Sequence, residues 1–418
     1  MSDSRLRHRT GKTTLTVRGP DRRVLAEQVV TVEQRRHAFA FGNIGFDFVD
    51  LVGGPGPEIA QPFGGTDSSD LDRLGDLWLH LFNTATLPFY WGSYEPRRGA
   101  PDTERLTRTA RWLAGHGVTV KGHPLVWHTV QPPWLLGLDL DEVEALQRAR
   151  IRDLVGGFAG LIDTWDAINE AVIMPVFGNG DNAITDLARA RGRIHMVRMA
   201  FEEARAANPA ATLVLNDFDL SSAYECLIEG VLEAGVRLDA IGLQTHMHQG
   251  YRGEEYTHEM LDRFARYGLP LHLTETTLVS GHLMPPEIED LNDYQIPQWP
   301  STPEGEARQA EEIVRHYRSL LAHPAVQAVN YWGLTDRGAW LGAPAGLVRS
   351  DGSRKPSYDA LEALIKGEWW LPPTPMRTDP DGMITVAGFL GDYTVSAGER
   401  TTHFTIDASD TTATIDLA

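Results

Sequence analysis

Eight short apolar runs, with helix-patterned stretches between most of them, constrain this chain more than any other feature. The runs fall at about 38–44, 81–87, 118–123, 162–169, 211–217, 238–245, 270–275 and 326–332. Between them, the segments 103–116, 140–156, 188–207, 222–234, 256–267 and 304–322 carry helical spacing. Asn208-Pro209 and His323-Pro324 end two of these, because proline pushes the preceding residue out of the helical region. Strand alternating with helix demands a parallel sheet, and eight units predict closure into a (β/α)8 TIM barrel rather than an open doubly wound sheet.

The ends differ from this α/β body. Runs at 13–17 and 24–32 flank the turn Arg18-Gly19-Pro20-Asp21. Beyond Leu371-Pro372-Pro373-Thr374-Pro375, short alternating β segments are punctuated by Gly, Asp and Ser. Neither end has enough apolar residues for a core of its own. The reading is therefore an N-terminal β segment (1–37), a catalytic barrel (38–370) and a C-terminal β segment (371–418). The two β segments either pack together as a small accessory module or lie separately on the barrel.

A barrel needs about 250 residues, and the chain has 418, 42% of them hydrophobic, so the core and the extra module both fit. The formal charge of −19 excludes nucleic acid and anionic membrane as partners, since both reward a basic surface, and it fits a neutral substrate. Cys226 is the only cysteine, so no intramolecular disulfide forms; within a helical pattern it reads as a small buried residue. The N-terminal MSDSRLRHRTGKTTL has no apolar core of a secretion signal, and no run approaches a membrane span. As given the chain reads as cytoplasmic, or as secreted if a signal has been removed. Oligomeric state leaves no mark in the sequence.

Catalysis in such a barrel sits where the strands end. There the sequence places two glutamates, Glu170 in IDTWDAINEA and Glu275 in LPLHLTET. A single glutamate after a strand is ordinarily a solvated loop residue. Two on different strands are the minimum apparatus for splitting a glycosidic bond. The remaining ends carry His123, Trp127 and His128 in GHPLVWH, then Asn169, Asn216-Asp217, Gln244-Thr245-His246, Trp332, Asp336 and Trp340. Hydroxyl-pairing side chains with tryptophan plates suit a sugar cleft. The long connection 278–303 holds Tyr294 and Trp299, which are either further sugar platforms or the loop's own small core.

Taken in order, GHPLVWHTVQPPW, WDAINEA, LVLNDFD, DAIGLQTH, LTE, YWGLTDRGAWL and KPSYDAL resemble glycoside hydrolase family 10, the retaining endo-β-1,4-xylanase family, over about 39–364. The resemblance implies that Glu170 is the general acid/base and Glu275 the nucleophile. It implies that Asn169 binds the sugar 2-hydroxyl, that His123 and Trp127 line the same subsite, and that Trp332 and Trp340 stack on or cap the sugar. Gln244 and His246 would lie beside the nucleophile. No metal or cofactor is implied; the partner is a neutral oligosaccharide or glycoside.

The sequence also departs from the family. Its members usually carry a Glu-Asn-x-x-Lys cluster after the second strand that grips the second xylose. Here the stretch reads FNTATLPFYWGSYEPRRG, about two residues shorter, with Leu87, Pro88, Phe89 and Tyr90 in its place. Val130 replaces the glutamine after the second histidine of GHPLVWH, and Thr277 replaces an aspartate two residues past the nucleophile, leaving His246 without its customary partner. Glycoside cleavage survives these changes, whereas activity on polymeric xylan should weaken. The sequence admits two further readings. One is a metal-dependent hydrolase built on His246 and His248, with His258, Asp217 and Asp336 as possible ligands. The other is a catalytically silent carbohydrate-binding barrel, which would have no need of an acid paired with a nucleophile. His37, His80 and His195 read as solvated or satisfied structural groups.

Overall fold

The computed structural model describes residues 4–54, 56, 71–178 and 180–417. Strands β1 (Thr10–Arg18) and β2 (Val29–His37) precede a closed barrel. The barrel strands are β3 (Ala40–Ile44), β4 (Thr84–Pro88), β5 (Thr119–His123), β6 (Thr164–Asn169), β7 (Thr212–Asp217), β8 (Ala240–Met247), β9 (Leu271–Leu278) and β10 (Val326–Tyr331). All pair in parallel, and β10 closes on β3 through the register Val329↔Phe41. The tail supplies β11 (Thr374–Arg377), β12 (Met383–Phe389), β13 (Gly391–Ala397), β14 (Arg400–Ile406) and β15 (Thr411–Asp416).

Helices return the chain between strands, and several have designed starts. Asp139 accepts from the Glu142 amide at 2.8 Å, and Thr302 from the Gly305 amide at 3.0 Å ahead of Pro303, so amide groups left over at the helix ends are satisfied. The patterned segment 188–207 is two helices, Ala183–Arg191 and Arg193–Ala207, broken at Gly192, whose φ of 85° needs a glycine. A helix at Leu71–Leu81 occupies the start of the run read as strand 81–87, and β4 begins only at Thr84.

The terminal strands form two facing sheets. One has the order β12-β1-β15, the other β11-β2-β13-β14. Alternation explains them: Leu15 and Val17 of β1, Val30 and Val32 of β2, and Val386, Tyr393, Val395 and Ile406 of the tail are all buried in one cluster. The turn at 18–21 does not make a simple hairpin, because β1 and β2 enter different sheets; the isolated bridge Arg18↔Val24 closes the turn before β2 begins. The sandwich lies at the amino ends of the barrel strands. Buried Arg9 donates to the carbonyls of Leu321 (3.1 Å), His323 (2.8 Å) and Val326, where the helix Pro303–Ala322 ends and β10 starts.

Two local expectations are corrected, and one of two alternatives is selected for the connection after β9. Cys226 is exposed, since the helix Ser222–Glu233 buries Tyr224, Leu227, Ile228 and Val231 and turns position 226 outward. Leu87 and Phe89 do not face the cleft: Phe89 is packed outside the strands between Phe158 and Trp165, with ring centres 5.2 and 4.9 Å away. The connection after β9 folds on itself, with Trp299 and Met284 buried against Tyr294 and Ile288, and the Trp299 indole donating to the His282 carbonyl at 2.9 Å.

Candidate active site

Glu170 directly follows the last residue of β6 and Glu275 lies inside the carboxyl half of β9, and the regular alternation of both strands is broken. Between Asp166 and Ile168 the β6–β7 register slips, and between Leu243 and Gln244 the β8–β9 register slips so that Gln244 pairs with Glu275. In a regular strand, neighbours point to opposite faces. Here the consecutive residues Thr274 and Glu275 both reach Asn216: the Thr274 hydroxyl donates to Asn216 Oδ1 at 2.5 Å, and Asn216 Nδ2 donates to Glu275 Oε1 at 2.9 Å. The extra residue in β9 re-aims the carboxylate into the barrel mouth, a use typical of bulges beside functional sites.

The two carboxyl groups are joined through amides. Asn216 Nδ2 also donates to Asn169 Oδ1 at 2.8 Å, and Asn169 Nδ2 donates to Glu170 Oε1 at 3.1 Å. Gln244 donates to Asn169 at 3.0 Å and to Glu170 at 3.4 Å. The other oxygen of Glu170 accepts from the Trp127 indole at 2.8 Å. Glu170 has a φ of 56°, a left-handed conformation sparsely used by residues other than glycine and costing on the order of 1–3 kcal/mol. Its amide donates to the Asn216 carbonyl at 2.8 Å, which anchors the turn.

Electrostatics separate the pair. Burial pushes the Glu170 carboxyl up to about 8; the Trp127 hydrogen bond opposes this, and the Glu275 and Asp217 charges add to it. Asp217 is itself raised to about 7 by burial, although the Val172 and Asp219 amides donate to it at 3.0 Å each. His128 lies 3.9 Å from Glu170, but burial lowers it to about 3, so it is neutral and lends Glu170 no charge. Glu275 by contrast accepts from His246 Nε2 at 3.2 Å as well as from Asn216. A carboxylate can only accept, so the neutral His246 ring turns its Nε2–H to Glu275, and the Thr277 hydroxyl, which accepts from the Met247 amide at 3.3 Å, lies 3.2 Å from Nδ1 where it can donate. Nδ1 is then the acceptor and Nε2–H the donor to Glu275. Thr277 thus preserves the tautomer that lets His246 support a carboxylate.

The remaining site residues surround these two. His123 Nδ1 donates to Asp166 Oδ2 at 2.7 Å, the same oxygen that Lys121 Nζ meets at 2.7 Å. Burial works to raise Asp166, but Lys121 and His123 together hold it below the ordinary carboxylate range. The Trp332 ring meets His123 (5.3 Å) and His246 (6.2 Å) edge-on, and Trp340 lies 4.9 Å from His246. The structure therefore brings Glu170, Glu275, His123, Trp127, Asn169, Gln244, His246, Trp332 and Trp340 to one mouth.

Sequence reasoning missed Asn216 as the bridge between the carboxyl groups, and Asp166 with Lys121 as the holders of His123. The polar residues inside an otherwise apolar run, Asp166 above all, were the available signal. The proposed metal ligands do not gather. Exposed His258 lies on the helix Glu254–Ala265, and Asp336 is taken by buried Lys355 at 2.6 Å. Among the described residues no three of His, Cys, Asp and Glu are grouped so as to hold a metal ion.

The comparisons agree on one family. The model of glycosyl hydrolase family 10 matches residues 84–364. Endo-1,4-beta-xylanase B of Thermotoga neapolitana is 29% identical over 292 residues, covering 66% of this chain and 78% of that protein. The beta-1,4-xylanase of Dictyoglomus thermophilum is 28% identical over 269 residues, covering 60% of this chain and 70% of that protein. In fold, the chain superposes on xylanase 10B from Thermotoga petrophila RKU-1 in complex with xylobiose with a TM-score of 0.62 at 23% identity, over 79% of this chain and 95% of that one. The chain belongs to glycosyl hydrolase family 10, and it is a glycoside hydrolase on a (β/α)8 barrel.

Proposed function

We propose that the chain cleaves short β-linked glycosides of the xylan type, or close relatives of them, by double displacement, with Glu275 as nucleophile and Glu170 as acid/base. The observation that carries this is the unequal treatment of the two carboxyl groups. Burial keeps the Glu170 proton on near neutral pH, while Glu275 accepts hydrogen bonds from Asn216 and His246. Glu275 attacks the anomeric carbon as Glu170 passes its proton to the departing oxygen. Water then adds to the same carbon, giving a proton back to Glu170 and releasing Glu275. Asn169 faces the 2-hydroxyl of the reacting sugar, and His123, held by Asp166, offers Nε2 to a neighbouring hydroxyl. The named xylanases among the relatives support a xylose-type sugar; the loss of the polar cluster after β4 argues against long xylan chains.

Replacing each carboxyl tests the division of roles. Glu275→Ala should abolish turnover and, with added azide, release the α-glycosyl azide, because a small anion enters the vacated space. Glu170→Ala should lose about 10²–10⁴-fold with a poor leaving group and far less with an activated aryl glycoside, whose glycosyl-enzyme then accumulates. Two variants with the same leaving-group dependence would show the roles to be wrongly assigned.

A further inference from the structure

The two sides of the reacting centre differ in openness. The acid must stand beside the departing oxygen, so the leaving group lies toward the loops after β6 and β7. There Val176 is 62% exposed and Phe218 48% exposed. The opposite side is made by the loops after β10, β3, β4 and β5. Its apolar cluster joins Ile44, Phe46, Tyr90 and Trp332, with Trp127 and Val130 packed against it. Tyr90 is only 2% exposed and Phe46 3%. The Tyr90 ring lies 5.6 Å from His123, 5.3 Å from Trp127 and 6.1 Å from Phe46. Trp127 in turn donates to Glu170 at 2.8 Å, so the Tyr90 ring stands one side chain away from the carboxyl pair rather than farther along a groove.

This wall is built into the backbone. Val130 has a φ of 55°, an outlier for a β-branched residue, and its carbonyl accepts from the Gly92 amide at 2.7 Å. A Cβ on Gly92 would sit 2.7 Å from the Val130 oxygen and 2.9 Å from the Gln131 oxygen, so only glycine lets the two loops approach. On the other flank the Trp332 amide donates to the Thr276 carbonyl at 2.8 Å, and the Gly333 amide to Asn43 Oδ1 at 3.1 Å. Strain held by tight packing at a site marks a conformation with a purpose.

We propose that the aromatic wall of Phe46, Tyr90 and Trp332 closes the cleft one sugar beyond the cleavage point, so that the enzyme removes single sugar units from the non-reducing end. The inference rests on the glycosidase reading above and specifies its substrate: a β-glycoside with a one-unit glycone and an open-ended leaving group. A second glycone sugar would have to displace the packed Phe46 and Tyr90 rings and set hydroxyls against the apolar Phe46 ring, lowering affinity roughly tenfold to a hundredfold.

The test compares kcat/KM for 4-nitrophenyl β-xyloside and β-xylobioside, with the β-glucoside and β-cellobioside as a second pair. The monoglycoside of the preferred sugar should be turned over at least as well as its bioside. Tyr90→Gly should move that ratio tenfold or more toward the bioside, a change that loss of stability alone does not produce; Phe46→Ala serves if the first variant fails to fold. A wild-type preference for the bioside of tenfold or more, or a ratio unmoved in a folded variant, overturns the closed wall while leaving the glycosidase reading intact. Failure to turn over either pair overturns the proposed xylan-type substrate and the wall with it.

Discussion

Glu170 shows how far a single residue's surroundings can set its chemistry. Its backbone is held in a left-handed turn, its two oxygens take donors from Trp127 and from Asn169 and Gln244, and burial still leaves its carboxyl near 8. Since that value is raised, the acid is present below it and lost as pH rises through it. With an unactivated leaving group, kcat/KM should therefore fall above about pH 8, and a pH profile with an activated aryl glycoside should show a weaker basic limb. Stability moves with the same proton. Between the ordinary carboxylate range and about 8 the folded chain binds more protons at Glu170 than the unfolded one, and Asp217 behaves likewise up to about 7, so both lower stability as pH rises through that window. In thermal melts Glu170→Gln should gain a few degrees on the wild type between about pH 5 and about pH 8.5. A constant difference across that range would mean the carboxyl is not raised.

At the scale of elements, the register slips in the carboxylate-bearing strands do what composition cannot. One extra residue in β9 turns Thr274 and Glu275 to the same side, where both hold Asn216. Thr274→Val keeps the shape of that side chain but leaves buried Asn216 Oδ1 without its donor. The variant should lose about 1–3 kcal/mol in denaturant unfolding, and its kcat should fall roughly tenfold because both Asn169 and Glu275 lean on the same amide. The strand–helix alternation that predicts the barrel is local, so it is legible in the sequence, as are carboxylates at strand ends. A register slip has no local signature. Phe89 and Tyr90 look alike in sequence, yet one packs outside the strands and the other faces the cleft, because they are consecutive residues where the chain runs on from the end of β4 at Pro88 and they point to opposite sides. The partners of β1 and β2 lie some 350 residues along the chain (Leu15↔Ile384, Val32↔Thr374), beyond the reach of local pattern.

In the whole molecule, the terminal sandwich and the chemistry occupy opposite ends of the barrel. Arg9 fastens the sandwich to the amino ends of the strands, and Glu170 and Glu275 stand at the carboxyl ends. At the catalytic mouth, the long connection after β9 spends Tyr294 and Trp299 on its own core and braces Trp340 through His248, whose ring lies 6.0 Å from Trp299 and 5.1 Å from Trp340. The proposed mechanism rests on the carboxyl groups of Glu170 and Glu275 at one mouth of the barrel. A nucleophile and an acid in a double displacement leave the anomeric configuration unchanged, whereas direct attack by water inverts it. Proton NMR of the first-formed product, recorded before mutarotation, decides between them: the β anomer is predicted, and an initial α anomer would contradict the assignment of Glu275 as nucleophile and Glu170 as acid/base.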